Sequence, residues 1–206
     1  MSLPSSFARA AGLCFLIAQG SLAAEVTVSA RTASGAPAEN AVIVFDAADA
    51  TSSTSRDTAT IDQIDKQFVP LVTVIRTGTA VTFPNRDQIR HQVYSFSAAK
   101  TFTLKLYAGS PKTAVLFDKP GLVVLGCNIH DKMLAFVAVV DSPYFVKVPA
   151  SGTATLNLPP GHYGLRVWHP QLAKPVATQA VDIQNAPFSL LLDLDLRGND
   201  AVAAWH

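Results

Sequence analysis

A chain of 206 residues that is 49% apolar and 15% charged can bury a sizeable core and lacks the signature of intrinsic disorder. Its formal net charge of +1, without a basic run, gives no support to nucleic acid or an anionic membrane surface as a partner. Two cysteines exclude a disulfide-stapled scaffold.

The first stretch, "MSLPSSFARAAGLCFLIAQGSLAAEVTV", has one basic residue (Arg9), an apolar run from Ala10 to Ala18, and the small-residue stretch Ser21-Leu22-Ala23-Ala24. That layout predicts a secretory signal peptide over residues 1–24, cleaved after Ala23 or Ala24, and a soluble, exported, periplasmic mature chain. The apolar run is too short to span a bilayer, and no later segment is long enough, so no membrane span is expected. Cys14 follows Leu13, whereas a lipoprotein processing site needs a small residue there. Cleavage would remove Arg9 and Cys14, leaving 15 basic against 15 acidic residues and Cys127 as the single cysteine. Such a cysteine has no internal disulfide partner, so in an oxidising compartment it needs burial or a metal.

From there the patterning is β. Apolar or β-branched alternation marks 26–31 and 40–46, followed by "ADATSSTSRDTAT" (48–60), a Ser/Thr/Ala-rich loop or linker. Further runs follow at 71–76, 79–83, 91–96, 101–106, 113–117, 121–126 and 134–140. A composition shift at Asp141-Ser142-Pro143 precedes the last runs at 152–156, 162–168 and 188–194. Turn residues such as Thr77-Gly78, Pro84-Asn85, Pro120-Gly121 and Pro159-Pro160-Gly161 separate them, and no stretch carries a helical period with caps. Short strands at this spacing predict one or two β-sandwiches.

"GLVVLGCNIHDKM" (121–133) places Cys127, His130 and Met133 in a short loop between two apolar runs. An isolated buried cysteine is the ordinary case, because free Cys packs like a small hydrophobe. A loop with these offsets, however, can turn three side chains toward one point, which consecutive strand positions cannot. A fourth donor stands in "AVTFPNRDQIRHQVYSFS": His91, 36 residues before the cysteine, at the start of a strand. Alone, a strand-end histidine reads as a solvated side chain. Two imidazoles, one thiolate and one thioether together match the trigonal His₂Cys copper site with a weak axial Met. Structural zinc would want more than one Cys, or a closed ligand set without thioether.

With these residues assembled, the chain resembles the cupredoxins, the plastocyanin- and amicyanin-like blue copper proteins. "VIRTGTAVTFPNRDQIRHQVYSF" resembles their strand–Gly–strand–Asn–loop–His segment, and "PGLVVLGCNIHDKM" their Pro-Gly-strand-Cys-x-x-His segment, with an amicyanin-like C-x-x-H-x-x-M loop. Over residues 66–142 the resemblance implies one type 1 copper held by His91, Cys127, His130 and Met133. Ile129 departs from the Pro that many members carry there, and Gln92 from the common Asn. With "FPNRD", "CNIHDKM" and "WHP", the chain is also similar to exported bacterial proteins labelled methylamine utilization protein, although no residue points to methylamine recognition. The flanks, "VTVSARTASGAPAENAVIVF" and "GTATLNLPPGHYGLRVWHP", look like the first and last parts of a carboxypeptidase-regulatory-like sandwich whose core Tyr163, Leu165 and Val167 would face.

The expected fold is therefore all-β: a cupredoxin-type Greek-key β-sandwich (60–142) inserted into a second small β-sandwich (25–59 and 143–197), with a tail at 198–206. The expected function is electron carriage by an exported type 1 copper protein, whose partner is a redox protein such as a c-type cytochrome or an oxidoreductase. Copper binding or handling without electron carriage is the alternative, but one Met beyond Met1 is not a Met-rich delivery site. An enzyme is not expected. Five histidines without His-x-His pairs cannot build a trinuclear cluster, and no nucleophile triad, carboxylate pair or phosphate loop stands in a credible context. His162 and His169 read as surface residues on opposite faces of a strand, and Trp168 as a core or corner residue.

Overall fold

A computed structural model of the chain describes residues 23–47, 55–130 and 132–197. Residues 1–22 of the expected signal peptide, the loop 48–54, Asp131 and the tail 198–206 lie outside the described residues. In chain order the first strands are β1 (Ala24–Thr32), β2 (Val42–Ala47), β3 (Thr58–Thr60), β4 (Asp62–Ile64), β5 (Gln67–Val69), β6 (Val72–Arg76), β7 (Thr79–Thr82), β8 (His91–Ser97) and β9 (Lys100–Tyr107). They continue through β10 (Val115–Phe117), β11 (Gly121–Gly126), β12 (Leu134–Val140), β13 (Tyr144–Lys147) and β14 (Thr153–Leu158). The last are β15 (Gly161–Trp168), β16 (Gln179–Ile183) and β17 (Phe188–Leu194). The protein is all-β, with no helix among the described residues, and none long and apolar enough to cross a membrane.

Each alternating run contains a strand. Five strands lie outside those runs: β3, β4, β5, β13 and β16. The first three are only three residues long, too short for a period of two to show. The expected loop 48–60 is corrected at its end, because β3 there pairs in parallel with β7.

Four sheets lie in layers around three apolar clusters. The outermost sheet, β14-β1-β17, faces the sheet β13-β2-β15-β16 across a core containing Val26, Val28, Phe45, Leu165 and Ile183. β1 shows why its sequence alternates: Val26, Val28 and Ala30 face this core, while Glu25, Thr27 and Ser29 turn away from it. Tyr163, Leu165 and Val167 face it too, as expected. The second core lies between the five-stranded sheet β6-β12-β11-β8-β9 and the small sheet β10-β7-β3, and includes Phe83, Phe117, Val123, Leu125 and Val137. Among the described residues β1 and β2 pair only with strands from residue 144 onward.

The third cluster joins the two halves. Val42 and Val44 of β2 and Trp168 of β15 pack on Val72, Phe136, Ala138 and Val140 of the five-stranded sheet. Trp168 is a core residue here, its ring 5.6 Å from that of Phe136. β2 and β12 are therefore covered on both faces, and this is why "VIVF" and "AFVAVV" run apolar without alternation. At roughly 1.5–3 kcal/mol for each large apolar side chain buried, β12 is the most firmly anchored strand beside the loop 127–133.

His169 corrects the sequence reading. It is buried beyond the end of β15, where Nε2–H donates to Glu39 O (2.8 Å) and Nδ1 accepts from Gln171 N–H (3.1 Å). His162 is exposed, as expected, and pairs with Asp182 across the β15–β16 edge.

Candidate metal centre

Two strand ends converge on one spot. β8 begins at His91, and β11 ends at Gly126, whose register partner on β8 is Tyr94. Carried one residue further, that antiparallel register puts Cys127 beside Val93 and two positions from His91. The chain then turns at Asn128-Ile129, and Met133 N–H closes the loop on His130 O at 2.9 Å before β12 starts. Covered on both faces, β12 fixes the far end of this loop.

The geometry brings three of the four expected ligands together. Donor atoms of His91, Cys127 and His130 all lie within 4.8 Å of one another, with His91 and Cys127 buried and His130 half-buried. His91 Nδ1 stands 4.0 Å from Cys127 Sγ, a gap that one ion can bridge at ordinary bond lengths of about 2.0 Å to nitrogen and 2.3 Å to sulfur. The imidazole centroids are 5.0 Å apart. His130 Nδ1 is buried and lacks a hydrogen-bond partner among the described residues, an arrangement that normally costs stability. A metal ion bound between this nitrogen, the Cys127 thiol and the second imidazole would meet that need. Met133 is 2% exposed and packs in the same cluster as Cys127, so its thioether lines the same interior.

Beneath His91 is a shell that sequence reasoning missed. Asp87 Oδ2 accepts from His91 Nε2 at 2.6 Å. Because an ionised carboxylate only accepts, Nε2 of the neutral ring carries the hydrogen and the Nδ1 lone pair is turned toward Cys127. Asp87 also accepts from the backbone N–H of Asp65 (2.7 Å) and Lys66 (2.9 Å), the turn residues of the β4–β5 hairpin. Burial pushes the Asp87 carboxyl up, but the bonds from Lys66, His91 and Asp65 together outweigh it and hold the group below its usual range. The only signal in the sequence was an acidic residue four positions before the histidine.

Asn85 holds the same loop. Its amide donates to Ile89 O (2.8 Å) and Tyr107 O (2.9 Å), and its Oδ1 accepts from Asp87 N–H (2.9 Å). Next to it Gln63 donates to Phe83 O (2.9 Å). Burial, against the hydrogen bond from Gln63, pushes the Tyr107 phenol up to about 12, so it stays a neutral donor to Phe83 O.

Around the site Ile129 (49%) and Leu134 (37%) are exposed apolar residues. Met133 and Pro84 beside them are buried, and Pro84 O accepts from Gln63 N–H. Exposed Arg86 is paired with Asp62 at 2.9 Å. Leu134 and Lys132 also line a groove of about 670 Å³ that reaches Glu39 and His169 in the other half of the protein.

No family model and no curated protein matches the chain. Among solved structures it is similar to a copper-containing nitrite reductase from Thermus scotoductus SA-01, with 24% identity over 47% of this chain and a TM-score of 0.39. The match spans 25% of the reductase, so the chain corresponds to about a quarter of that protein. It is similar to a purple cupredoxin from Nitrosopumilus maritimus, with 22% identity over 41% of this chain and all of that one, at a TM-score of 0.36. A Cu(I) structure of an amicyanin variant shows 19% identity over 50% of this chain and all of that one, at 0.36. These overlaps cover half of this chain or less.

Proposed function

We propose that the protein is a type 1 copper protein of cupredoxin type that carries single electrons between redox partners in the periplasm. The observation that carries this reading is the buried cluster of His91, Cys127 and His130, in which His130 Nδ1 has no protein partner. His91, Cys127, His130 and Met133 would hold the ion. A copper ion held by such a set supplies one-electron exchange between Cu(II) and Cu(I). Each residue has a separate task. Cys127 gives up its thiol proton and binds as thiolate. His91 presents Nδ1 while Asp87 holds its opposite edge. Met133 keeps water from the interior, and half-buried His130 would be the ligand nearest solvent for an electron to leave through.

Burial also favours a carrier over copper handling. His91, Cys127 and Met133 are 0%, 4% and 2% exposed, and ligands so enclosed oppose the ready metal exchange that delivery needs. A carrier gains from the same enclosure, because ligands fixed by two cores move little when the metal changes charge. The partner is a redox protein such as a c-type cytochrome, docking at Ile129 and Leu134 beside His130. With its ligands so enclosed, we read the protein as a carrier and not as an enzyme.

The test is the visible spectrum of the full-length protein after Cu(II) is added to its metal-free form. An intense thiolate-to-copper charge-transfer band is expected, and Cys127→Ser should remove it, because the thiolate is the donor. A band that persists in Cys127→Ser, or a wild-type protein that binds Cu(II) without one, overturns the reading.

A further inference from the structure

The β4–β5 hairpin makes no strand pair with the five-stranded sheet, yet its turn reaches the metal cluster. Asp65 and Lys66 both have positive φ, 52° and 60°, a conformation that non-glycine residues rarely adopt. A two-residue turn with both central residues there is the tight hairpin type in which Asn-Gly is preferred. In exchange, two consecutive backbone N–H groups point at one carboxylate, that of Asp87. The second oxygen of that carboxylate also takes the proton-bearing edge of His91. The hairpin is itself tied down. Phe68 is buried in the core that holds Cys127, Gln63 N–H donates to Pro84 O, and Gln63 O accepts from Arg86 N–H. A chain of contacts therefore runs from the left-handed turn through Asp87 to His91, and each link is a hydrogen bond of 2.6–2.9 Å.

We propose that Asp87, held by the turn amides of Asp65 and Lys66, is a positioning residue that locks His91 in the Nε2–H tautomer with Nδ1 aimed at Cys127. Carboxylate and hairpin amides act as one clamp. Without it nothing holds the hydrogen on Nε2, and its move to Nδ1 would close the lone pair to any metal. A carboxylate behind a ligand imidazole also makes it a stronger donor. The clamp belongs to the metal-free protein; its consequence for copper rests on the reading above.

The two parts are measured separately. In the metal-free, ¹⁵N-labelled full-length protein, ring-nitrogen shifts of His91 should show a protonated Nε2 and a bare Nδ1 near neutral pH. Asp87→Ala should lose that preference and show mixed tautomers or fast ring averaging. Asp87→Asn keeps one oxygen to accept from Nε2–H, so its tautomer should stay as in wild type although the charge is gone. A residue that merely supported the loop would leave the tautomer unchanged in all three. An unaltered tautomer in Asp87→Ala, or a wild-type ring protonated at Nδ1, overturns the proposal.

With copper, competition against a chelator should show Cu(II) affinity about 10–100-fold weaker in Asp87→Ala and a smaller loss in Asp87→Asn. A tenfold loss confined to Cu(II) raises the one-electron potential by about 59 mV. Wild-type affinity and potential in both variants would overturn the positioning role at the metal. If Asp87→Ala fails to fold, Asp87→Asn decides: a normal tautomer with weaker Cu(II) binding is expected, and either result alone is contrary. If wild-type protein shows no charge-transfer band, the copper reading falls while the tautomer measurement still judges the clamp.

Discussion

Gly126→Ala should destabilise the protein, and the same change should stabilise it once Tyr94 is truncated. Gly126 ends β11, directly before Cys127, and its backbone is not among the left-handed glycines. Alanine is therefore compatible with the chain path, and the entropy it removes from the unfolded state is worth about 0.4–1 kcal/mol in its favour. Space decides against it. A Cβ at this position would lie 2.8 Å from Tyr94 Cζ and Oη and 3.2 Å from Cε2, where carbon atoms rest at about 3.5–4.0 Å. The ring would have to retreat by about 0.7 Å from the closest contact. Its ring lies tilted against that of exposed Phe96, with centroids 5.1 Å apart, so part of this contact changes as the ring moves. Overpacking of this kind costs about 1–3 kcal/mol, and the half-buried ring, free to move toward the groove it shares with Leu134, puts the cost near the lower end. The net expectation is a loss of about 1 kcal/mol, or about 2–4 °C in a chain of this size. In a Tyr94→Ala background only the entropic gain remains, so Gly126→Ala should add about 0.5 kcal/mol. Thermal unfolding of wild type, both single variants and the double variant closes the cycle. Equal signs in the two backgrounds would show that Tyr94 does not set the limit at Gly126.

Met133→Leu should keep the charge-transfer band and raise the potential, because losing a weak axial donor favours Cu(I); an unchanged potential in voltammetry would remove Met133 from the ligand set. Burial lowers the pKa of His169 more than its bond to Glu39 O raises it. A His whose folded pKa is depressed adds stability above its unfolded value and loses it as pH falls toward the folded one. The unfolding free energy should therefore fall as pH drops below about 6.5, by up to about 1.4 kcal/mol per pH unit for the one proton; melting temperature should decline with it, and His169→Gln should flatten that part of the curve. Lys66→Gly should stabilise by about 1 kcal/mol, since glycine accepts positive φ without strain and retains the N–H that Asp87 needs; its melting temperature should rise with the copper spectrum unmoved.

The parts of the fold that were legible are those where burial writes a period into the chain. β1 is covered on one face and alternates; β2 and β12 are covered on both and run apolar. The hairpin β4–β5 left no such trace, because three-residue strands hold too little pattern and Asp65-Lys66 is not a sequence that advertises a tight turn. The grouping of His91, Cys127 and His130 was legible because soft donors are rare and two of the three stand close together in one loop. Asp87 was not, because a carboxylate in a polar loop looks like any solvated acid until the turn amides are seen to converge on it. His169 misled for the same reason: its partners, Glu39 O and Gln171 N–H, are backbone groups that side-chain chemistry cannot announce.

The second half of the protein bears on the site through β12. That strand contributes Ala135, Val137 and Val139 to the core beside Cys127, and Phe136, Ala138 and Val140 to the cluster under Val42, Val44 and Trp168. Without the outer sheets the second set would face water, and a strand with apolar side chains on both faces would have no stable register to hold. Fixing β12 fixes Met133 and, through the His130 O to Met133 N–H bond, the turn that carries His130. The outer sheets therefore hold one end of the ligand loop, as Asp87 and the hairpin hold His91 at the other side. The redox centre proposed above would need both restraints to present the same geometry in two charge states, because any ligand left free would relax with each electron.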